Sequence, residues 1–185
     1  MSRNIGIETP RTLIREIQLA DAEGMFDMDS DPEVKRFLGK KLVTTIGESR
    51  DLIGFIRQQY ADTGVGRWAI EDRLATGFVG WVGFRLMKET INGHTGYYDF
   101  GYRLRRKYWG RGYGIEAARA ALNFGIQVMD MDPKKIFAMT DIDNLGSCRI
   151  LEKIGFAYTG NFPYDGEPTW RDPGQPTAWF ELVRK

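Results

Sequence analysis

Residues Tyr97–Asp130, which read YYDFGYRLRRKYWGRGYGIEAARAALNFGIQVMD, decide the fold of this chain. Residues 97–104 alternate as in a β-strand, whose successive side chains point to opposite faces. One face carries Tyr98, Phe100, Tyr102 and Leu104, and the other carries Tyr97, Asp99, Gly101 and Arg103. The glycine cluster WGRGYG follows and leads directly into an amphipathic helix from about Gly112, whose polar face includes Glu116. The stretch therefore predicts a strand, a glycine loop and a long helix in that order.

The start of this helix predicts a site for an anionic ligand. A helix N-terminus offers about four unpaired backbone N–H groups and roughly half a positive charge. Glycines before it let a ligand approach the backbone, which suits a phosphate or pyrophosphate. Five cations flank the loop and would favour a ligand with several phosphates: Arg103, Arg105, Arg106, Lys107 and Arg111. Taken alone, the same residues also fit a tight turn beside a solvated charge run.

Two common phosphate-binding folds do not fit the glycine pattern. The chain has no Gly-Lys-Ser/Thr sequence, so a nucleotide triphosphate P-loop is absent. The glycines also lie in the middle of the chain without a following βαβ unit and acidic ribose partner, which argues against a Rossmann fold.

The rest of the chain predicts further elements in a mixed order. Alternation predicts a strand over Arg11–Gln18, helical patterns follow over 19–39 and 46–64, and a hairpin pairs Arg67–Asp72 with Gly77–Met87. After the central helix come a buried strand over 134–140, a short helix ended by Gly155, and two final strands. This order predicts an α/β fold, one domain in which helices flank a mixed central sheet.

Composition excludes several classes of protein. The 185 residues and the net charge of +1 fit one domain and argue against a general nucleic-acid or membrane-surface binder. A single cysteine, Cys148, rules out an internal disulfide framework and fits a reducing compartment. The first ten residues lack the apolar core of a signal peptide, so a cytoplasmic location is expected. His94 is the only histidine, and no metal site is expected.

A second motif makes the phosphate interpretation specific. GYRLRRKYWGRGYGIEA (residues 101–117) followed by DNLGSCRILEKIGF (residues 143–156) resembles the GNAT superfamily of acetyl-CoA-dependent N-acetyltransferases. More narrowly, it is similar to the Rim-type branch, which contains the ribosomal-protein N-terminal acetyltransferases. The opening strand and helices over 13–39 and the final WFELVRK extend the similarity over nearly the whole chain, which implies one N-acetyltransferase domain over 1–185.

The resemblance implies where acetyl-CoA would bind. The glycine loop would hold the coenzyme A pyrophosphate with backbone N–H groups, with Arg106 among the flanking cations, at Arg111, Gly112, Tyr113, Gly114 and Ile115. The preceding strand would hydrogen-bond the pantetheine arm at Phe100, Gly101, Tyr102 and Leu104, and Asn144 in the later helix would contact the coenzyme. The tyrosine that many members use as general acid falls on Leu151, and the resemblance implies Ser147 in its place.

The residues also allow a hypothesis about the base. Asp99 shares a strand face with Gly101, near the expected thioester, and could accept the amine proton. The alternative for Asp99 is a structural ion pair with Arg103, and Glu71 is a weaker candidate base. Phe162, Tyr164 and Trp170 could line an acceptor pocket.

Two functions follow from these expectations. The first is acetyl transfer from acetyl-CoA to a primary amine, either a protein N-terminal α-amine or a small-molecule amine, by direct attack in a ternary complex. The second is a non-catalytic acyl-CoA-binding or sensing domain of the same fold. The sequence leaves the acceptor open, and it allows a homodimer.

Overall fold

A computed structural model describes residues 5–39, 42–166 and 171–183. Its core is one eight-stranded sheet with the order β1-β2-β3-β4-β5-β6-β8-β7. The strands are β1 (Gly6–Glu8), β2 (Thr12–Arg15), β3 (Arg67–Asp72), β4 (Gly77–Met87), β5 (Tyr97–Leu104), β6 (Ile136–Asp141), β7 (Phe156–Pro163) and β8 (Pro176–Leu182). The α-helices are α1 (Ala22–Asp29), α2 (Pro32–Lys35), α3 (Ile46–Thr63), α4 (Tyr113–Gln127) and α5 (Leu145–Ile154). The α/β class with a mixed sheet between helices is confirmed.

Neighbouring strands pair antiparallel throughout the sheet except at its centre. There β5 and β6 run parallel, as a crossover through α4 requires. The crossover places α4 and α5 against the same face of the sheet, where small residues let α4 approach closely. At Gly125 an added Cβ would lie 2.5 Å from the ring of Phe84, so this contact needs glycine.

Each face of the sheet is covered by its own apolar core. The α4–α5 face packs around Trp68, Phe84 and Phe100, whose side chains are almost fully buried. The opposite face packs against α1 and α3 through Met25, Met28 and other apolar residues. The α1–α3 cluster reaches Ala69 of β3 and Phe78 of β4, and a third apolar cluster that includes Tyr97 and Trp179 lies beside the parallel pair.

Local signals set the ends of the helices as expected. Asp31 accepts a hydrogen bond from the backbone N–H of Glu33 (2.9 Å), and Pro32 is the first residue of α2. Gly155 ends α5 with a φ of 108°, a left-handed conformation that glycine adopts without strain.

The predicted first strand, Arg11–Gln18, is wrong in its extent. Only Thr12–Arg15 is a strand, and it pairs on its other side with the three-residue β1, which no pattern in the sequence indicated.

Trp170, expected beside Phe162 and Tyr164, lies outside the described residues. Within residues 5–39, 42–166 and 171–183, none of the helices combines the length and hydropathy needed to cross a lipid bilayer.

Candidate active site

The site is built on a divergence of the two central strands. β5 and β6 pair only at Tyr98–Ile136 and Asp99–Phe137, and beyond these pairs the strands separate. β4 holds β5 along its whole length on the other side, from Tyr97 to Leu104. Residues 100–104 therefore present their backbone to a cavity of about 690 Å³ instead of to a strand.

The cavity gathers most of the residues selected from the sequence. It is lined by Asp99, Phe100, Gly101, Tyr102, Leu104, Gly112, Gly114, Ile115, Asn144 and Ser147. Three of the residues expected to bind coenzyme A do not line it, namely Arg106, Arg111 and Tyr113, and of the described residues expected in an acceptor pocket Tyr164 lines it but Phe162 does not. Arg106 instead borders a separate shallow depression together with Arg105 and Asp27.

The glycine loop leaves the N-terminus of α4 open at one end of the cavity. Gly112 is the N-cap residue with a φ of 83°, and no side chain caps the helix. The first intrahelical bond runs from the N–H of Glu116 to the carbonyl of Gly112 (3.2 Å), so the N–H groups of residues 113–115 are not used inside the helix. These groups and the helix dipole make an anion site at this end.

Arg11 and Glu116 fix the loop from behind. The Arg11 guanidinium donates to the carbonyl of Arg111 (2.7 Å) and forms an ion pair with Glu116 (2.6 Å). The hydroxyl of Thr9 donates to the same carboxylate (2.7 Å). Glu116 is therefore a half-buried partner of the N-terminal segment and not a residue of a solvated helix face, as the helical periodicity had suggested.

Tyr113 and Asp72 connect the loop to the β3–β4 turn. The Tyr113 hydroxyl donates to Asp72 (2.9 Å), which also accepts from the backbone N–H of Leu74 (2.9 Å) and Ala75 (3.2 Å). These hydrogen bonds lower the pKa of Asp72, with the bond from Leu74 as the largest cause. The side chain of Tyr113 thus points into the protein, and only its backbone is available at the anion site.

The predicted five-cation cluster is wrong as a single group. Arg103 forms an ion pair with Asp29, and Arg105 forms one with Asp27 (2.6 Å). The guanidinium of Arg103 lies 5.1 Å from the ring centre of Trp81, on the face of the sheet opposite α4. Strand alternation explains this result, because residues 103 and 104 must point to opposite faces.

The start of α5 brings polar groups to the middle of the cavity. Asn144 is the N-cap residue, and its side chain accepts from the N–H of Ser147 (3.1 Å). The Ser147 hydroxyl lies 3.1 Å from the Tyr102 hydroxyl. Burial raises the pKa of Tyr102, although its hydrogen bond with Ser147 acts in the other direction. Tyr102 therefore stays protonated at neutral pH, and the serine–tyrosine pair can donate a proton.

Leu151 and Cys148 take no part in this polar group. Leu151 is 2% exposed within the apolar core, at the position where the resemblance would place a tyrosine. Burial raises the pKa of the Cys148 thiol, so the thiolate needed for nucleophilic attack is disfavoured.

Asp99 lies on the opposite face of the sheet and pairs with Arg67. The Arg67 guanidinium donates to the Asp99 carboxylate and to the Asp99 backbone carbonyl (2.9 Å). The alternative of a structural ion pair is thus met for Asp99, but its predicted partner is wrong, because Arg103 is bound to Asp29. One Asp99 oxygen, Oδ1, accepts no hydrogen bond from the described residues and remains available to an incoming donor. Glu71 is outside the cavity lining and pairs with Arg15 (2.8 Å).

Several arginines around Asp99 were not selected from the sequence. Arg67, Arg85 and Arg171 line the cavity together with Trp81 and Tyr164. None of the three arginines belongs to a recognisable motif in the sequence. Arg67 and Arg85 come together only through the register of β3, β4 and β5. Strand alternation could have indicated Arg67, but no local pattern could have indicated Arg171.

Comparison with known proteins supports one family. A model described as an acetyltransferase (GNAT) domain matches residues 11–157. The chain is 27% identical to the uncharacterized N-acetyltransferase YoaA of Bacillus subtilis over 168 residues, which are 86% of this chain and 92% of YoaA. A GNAT-family acetyltransferase from Bacillus anthracis has the same fold, with a TM-score of 0.75, 24% identity and coverage of 96% of this chain and 98% of that one.

A ribosomal-protein-S5-alanine acetyltransferase from Vibrio fischeri also shares the fold, with a TM-score of 0.74 at 14% identity over 97% of each chain. A spermidine N-acetyltransferase from Vibrio cholerae, solved in complex with CoA and spermine, has a TM-score of 0.71 at 13% identity over 94% of this chain and 96% of that one. At these identities the similarity shows the fold alone.

We predict that Glu116→Gln destabilises the protein in a pH-dependent way. Burial acts to raise the pKa of Glu116, but the hydrogen bonds from Thr9 and Arg11 outweigh it and lower the pKa overall. A depressed folded-state pKa stabilises the fold above the unfolded-state pKa of about 4.3, and the contribution is lost as pH falls through the folded-state value. The free energy of unfolding should therefore drop by about 1 kcal/mol at neutral pH and converge with that of wild type as the pH falls below the lowered folded-state pKa of Glu116.

Urea unfolding followed between pH 3 and pH 8 measures this difference. Glu152→Gln, at an exposed position of α5, is the matched control and should change the free energy of unfolding little. Equal pH dependence of the two variants would contradict the role assigned to Glu116.

Proposed function

The chain belongs to the GNAT acetyltransferase family, since the domain model covers residues 11–157 of 185, and on this premise we propose direct transfer of an acetyl group from acetyl-CoA to a primary amine. Both substrates would be bound together in a ternary complex. One observation carries the proposal: a single cavity joins the open N-terminus of α4, the free edge of β5 and the Asp99 carboxylate.

The open edge of β5 fits an extended pantetheine arm. Backbone groups of residues 100–104 have no strand partner on the β6 side, and buried backbone groups require hydrogen-bond partners. The two amide groups of a pantetheine arm could supply these hydrogen-bond partners in the same way as an added β-strand. The N–H groups of residues 113–115 would then receive the pyrophosphate, with Gly112 allowing close approach. Asn144 would contact the arm while it caps α5.

The chemistry requires a neutral amine, a donor for the developing oxyanion and an acid for the leaving thiolate. A lysine-like amine, with a pKa of about 10.4, is rarely neutral at pH 7, whereas about a tenth or more of an α-amine is neutral. The amine nitrogen attacks the thioester carbon, the C–N bond forms and the C–S bond breaks. Asp99 accepts the amine proton, directly or through water, at its available oxygen.

The other groups complete the reaction. A backbone N–H on the open edge of β5 would stabilise the oxyanion. Ser147, with its hydrogen-bonded neighbour Tyr102, would protonate the departing thiolate. A thiolate with a pKa near 8.5 needs only weak acid assistance, so a serine can replace the tyrosine of other family members.

The Rim-type assignment belongs to the same proposal. Ser147 near the start of α5 and an aromatic residue, Trp109, before the glycine loop support it. A protein N-terminal α-amine is accordingly one class of acceptor, and a small-molecule amine is the other.

The function predicts amine-dependent release of coenzyme A thiol. The wild-type protein with acetyl-CoA should release thiol only when an acceptor amine is present, and mass spectrometry should find one added acetyl group on that amine. Tight binding of acetyl-CoA without amine-dependent release from a broad panel of amines and peptides would instead favour a non-catalytic acyl-CoA sensor.

The pyrophosphate site predicts that Gly112→Asp weakens coenzyme A binding more than Gly112→Asn. Both variants place a side chain where a Cβ would lie 3.0 Å from the Arg11 guanidinium, and both carry the same left-handed backbone strain. Only Asp adds a negative charge next to the helix N-terminus, on the side of Arg11, which partly neutralises it, so its dissociation constant should exceed that of Asn by about 3-fold or more. Calorimetric titration with coenzyme A measures the dissociation constants of the two variants. Equal affinities in folded proteins would show that the pyrophosphate binds elsewhere.

We expect Asp99→Asn to lower kcat/KM by about 10²–10⁴-fold at neutral pH if Asp99 accepts the amine proton. The loss should shrink at high pH, where more of the amine is already neutral. Because Asn also removes the partner of the buried Arg67, a general decrease in rate could reflect displacement of that guanidinium.

The double variant Arg67→Met/Asp99→Asn separates the two causes. If Asp99 is the base, the double variant should be as slow as the single variant Asp99→Asn, with the same pH-dependent loss of kcat/KM. A rate restored towards wild type by Arg67→Met, or a deficit that does not change with pH, would exclude Asp99 as the base.

A further inference from the structure

A buried arginine on the Asp99 side of the cavity has no ion-pair partner among the described residues. Arg171 is only 7% exposed and lines the cavity. Its Nη1 is buried and forms no hydrogen bond with any residue in 5–39, 42–166 or 171–183. Leaving a guanidinium N–H unpaired in a buried position is costly, so such a group needs an explanation.

The neighbouring arginines differ from Arg171 because each has a carboxylate. Arg67 pairs with Asp99, Arg85 with Glu89 (3.1 Å) and Arg103 with Asp29. Three of the four arginines on the Asp99 side of the cavity are thus paired with a carboxylate, and the fourth, Arg171, has no ion-pair partner among the described residues. A binding site that awaits a negatively charged ligand would have this distribution of charge.

The position of Arg171 relates it to the proposed base. Burial lowers the pKa of Arg171, and Asp99 is the charged neighbour that opposes this effect most strongly. Arg171 and Asp99 line the same cavity, and the charge of Asp141 acts on Arg171 in the same direction as that of Asp99. An acceptor whose amine reaches Asp99 could place a second functional group at Arg171.

We infer that the acceptor carries a carboxylate close to its amine, and that Arg171 binds this carboxylate. The inference rests on the proposed acetyl transfer and names the class of its acceptor. A planar guanidinium matches a carboxylate in geometry and charge. A phosphate, with a charge near −2 at pH 7, would bring a second negative charge that no other unpaired arginine of this group neutralises.

Two sources of this chemistry must be distinguished. The carboxylate could be the α-carboxylate of a free amino acid or the acidic side chain near the N-terminus of a peptide. We commit to the shared feature, an amine with a carboxylate a few bonds away, and the probes below separate the sources.

The experiment compares wild type, Arg171→Met and the control Arg36→Met on matched acceptors. Arg36 is an exposed arginine outside the cavity lining, so Arg36→Met removes the same charge while Arg171 and Asp99 are kept. The probes are the common amino acids paired with their carboxamides, and tripeptides with Asp or Asn at the second position. For each acceptor kcat/KM is expressed as the ratio of variant to wild type, which cancels the different pKa values of the amines.

We expect Arg171→Met to reduce kcat/KM by about 10–100-fold on acceptors with a carboxylate and by less than about 3-fold on their uncharged partners. Arg36→Met should change kcat/KM equally on acceptors with a carboxylate and on their uncharged partners. An equal effect of Arg171→Met on both members of every pair overturns the inference while leaving acetyl transfer intact. The probe class that shows the selective loss identifies the free amino acid or the peptide as the source.

A binding measurement tests Arg171 even if no acceptor is acetylated. Calorimetry with the same probes, in the presence of coenzyme A, should show carboxylate-dependent binding that Arg171→Met removes. Carboxylate-dependent binding without turnover would overturn the proposed function but support the ligand site. An absence of carboxylate-dependent binding would overturn the ligand site. Arg171→Met should also raise or preserve the melting temperature of the free protein, because it removes a buried unpaired charge. A large decrease would show that Arg171 is structural.

Discussion

The early end of pairing between β5 and β6 is the constraint on which the rest of the site depends. Two residue pairs hold the strands together, and the backbone of residues 100–104 is then left without a strand neighbour. Exposed hydrogen-bonding groups in the middle of a covered sheet are unfavourable unless water or a ligand satisfies them. The open edge of β5 therefore needs water or a ligand as its hydrogen-bond partner, and an extended ligand is the proposed one.

Rigid contacts on the other side of β5 keep this gap open. β4 follows β5 closely enough that an added Cβ at Gly80 would lie 2.0 Å from the carbonyl oxygen of Arg103. Arg67 donates to the backbone carbonyls of Gly83 and Asp99, so one guanidinium ties three strands together beside the gap. These contacts hold the open edge of β5 in place, which gives a ligand a preorganised surface.

The two faces of the sheet divide the chemistry of the cavity. The α4–α5 face supplies the helix N-terminus, Asn144 and the Ser147–Tyr102 pair, which are neutral or partly positive donors. The opposite face supplies Asp99 and the buried arginines around Trp81. An acyl donor with phosphates suits the first face, and an acceptor amine that must lose a proton suits the second. Asp99 sits at the last pair before the strands separate, where the two substrates would meet.

Local patterns in the sequence determined the elements and half of the site. Alternation over 97–104, the glycines over 110–114 and the spacing from Asn144 to Ser147 act through neighbouring residues, so they can be recognised without the fold. Tertiary structure alone decided the partners of the charged groups. Arg67 reaches Asp99 across 32 positions and Arg11 reaches Glu116 across 105, and only strand register and helix packing set such contacts. Arg171 is the extreme case, since it is buried at the cavity and no carboxylate among the described residues forms an ion pair with its guanidinium.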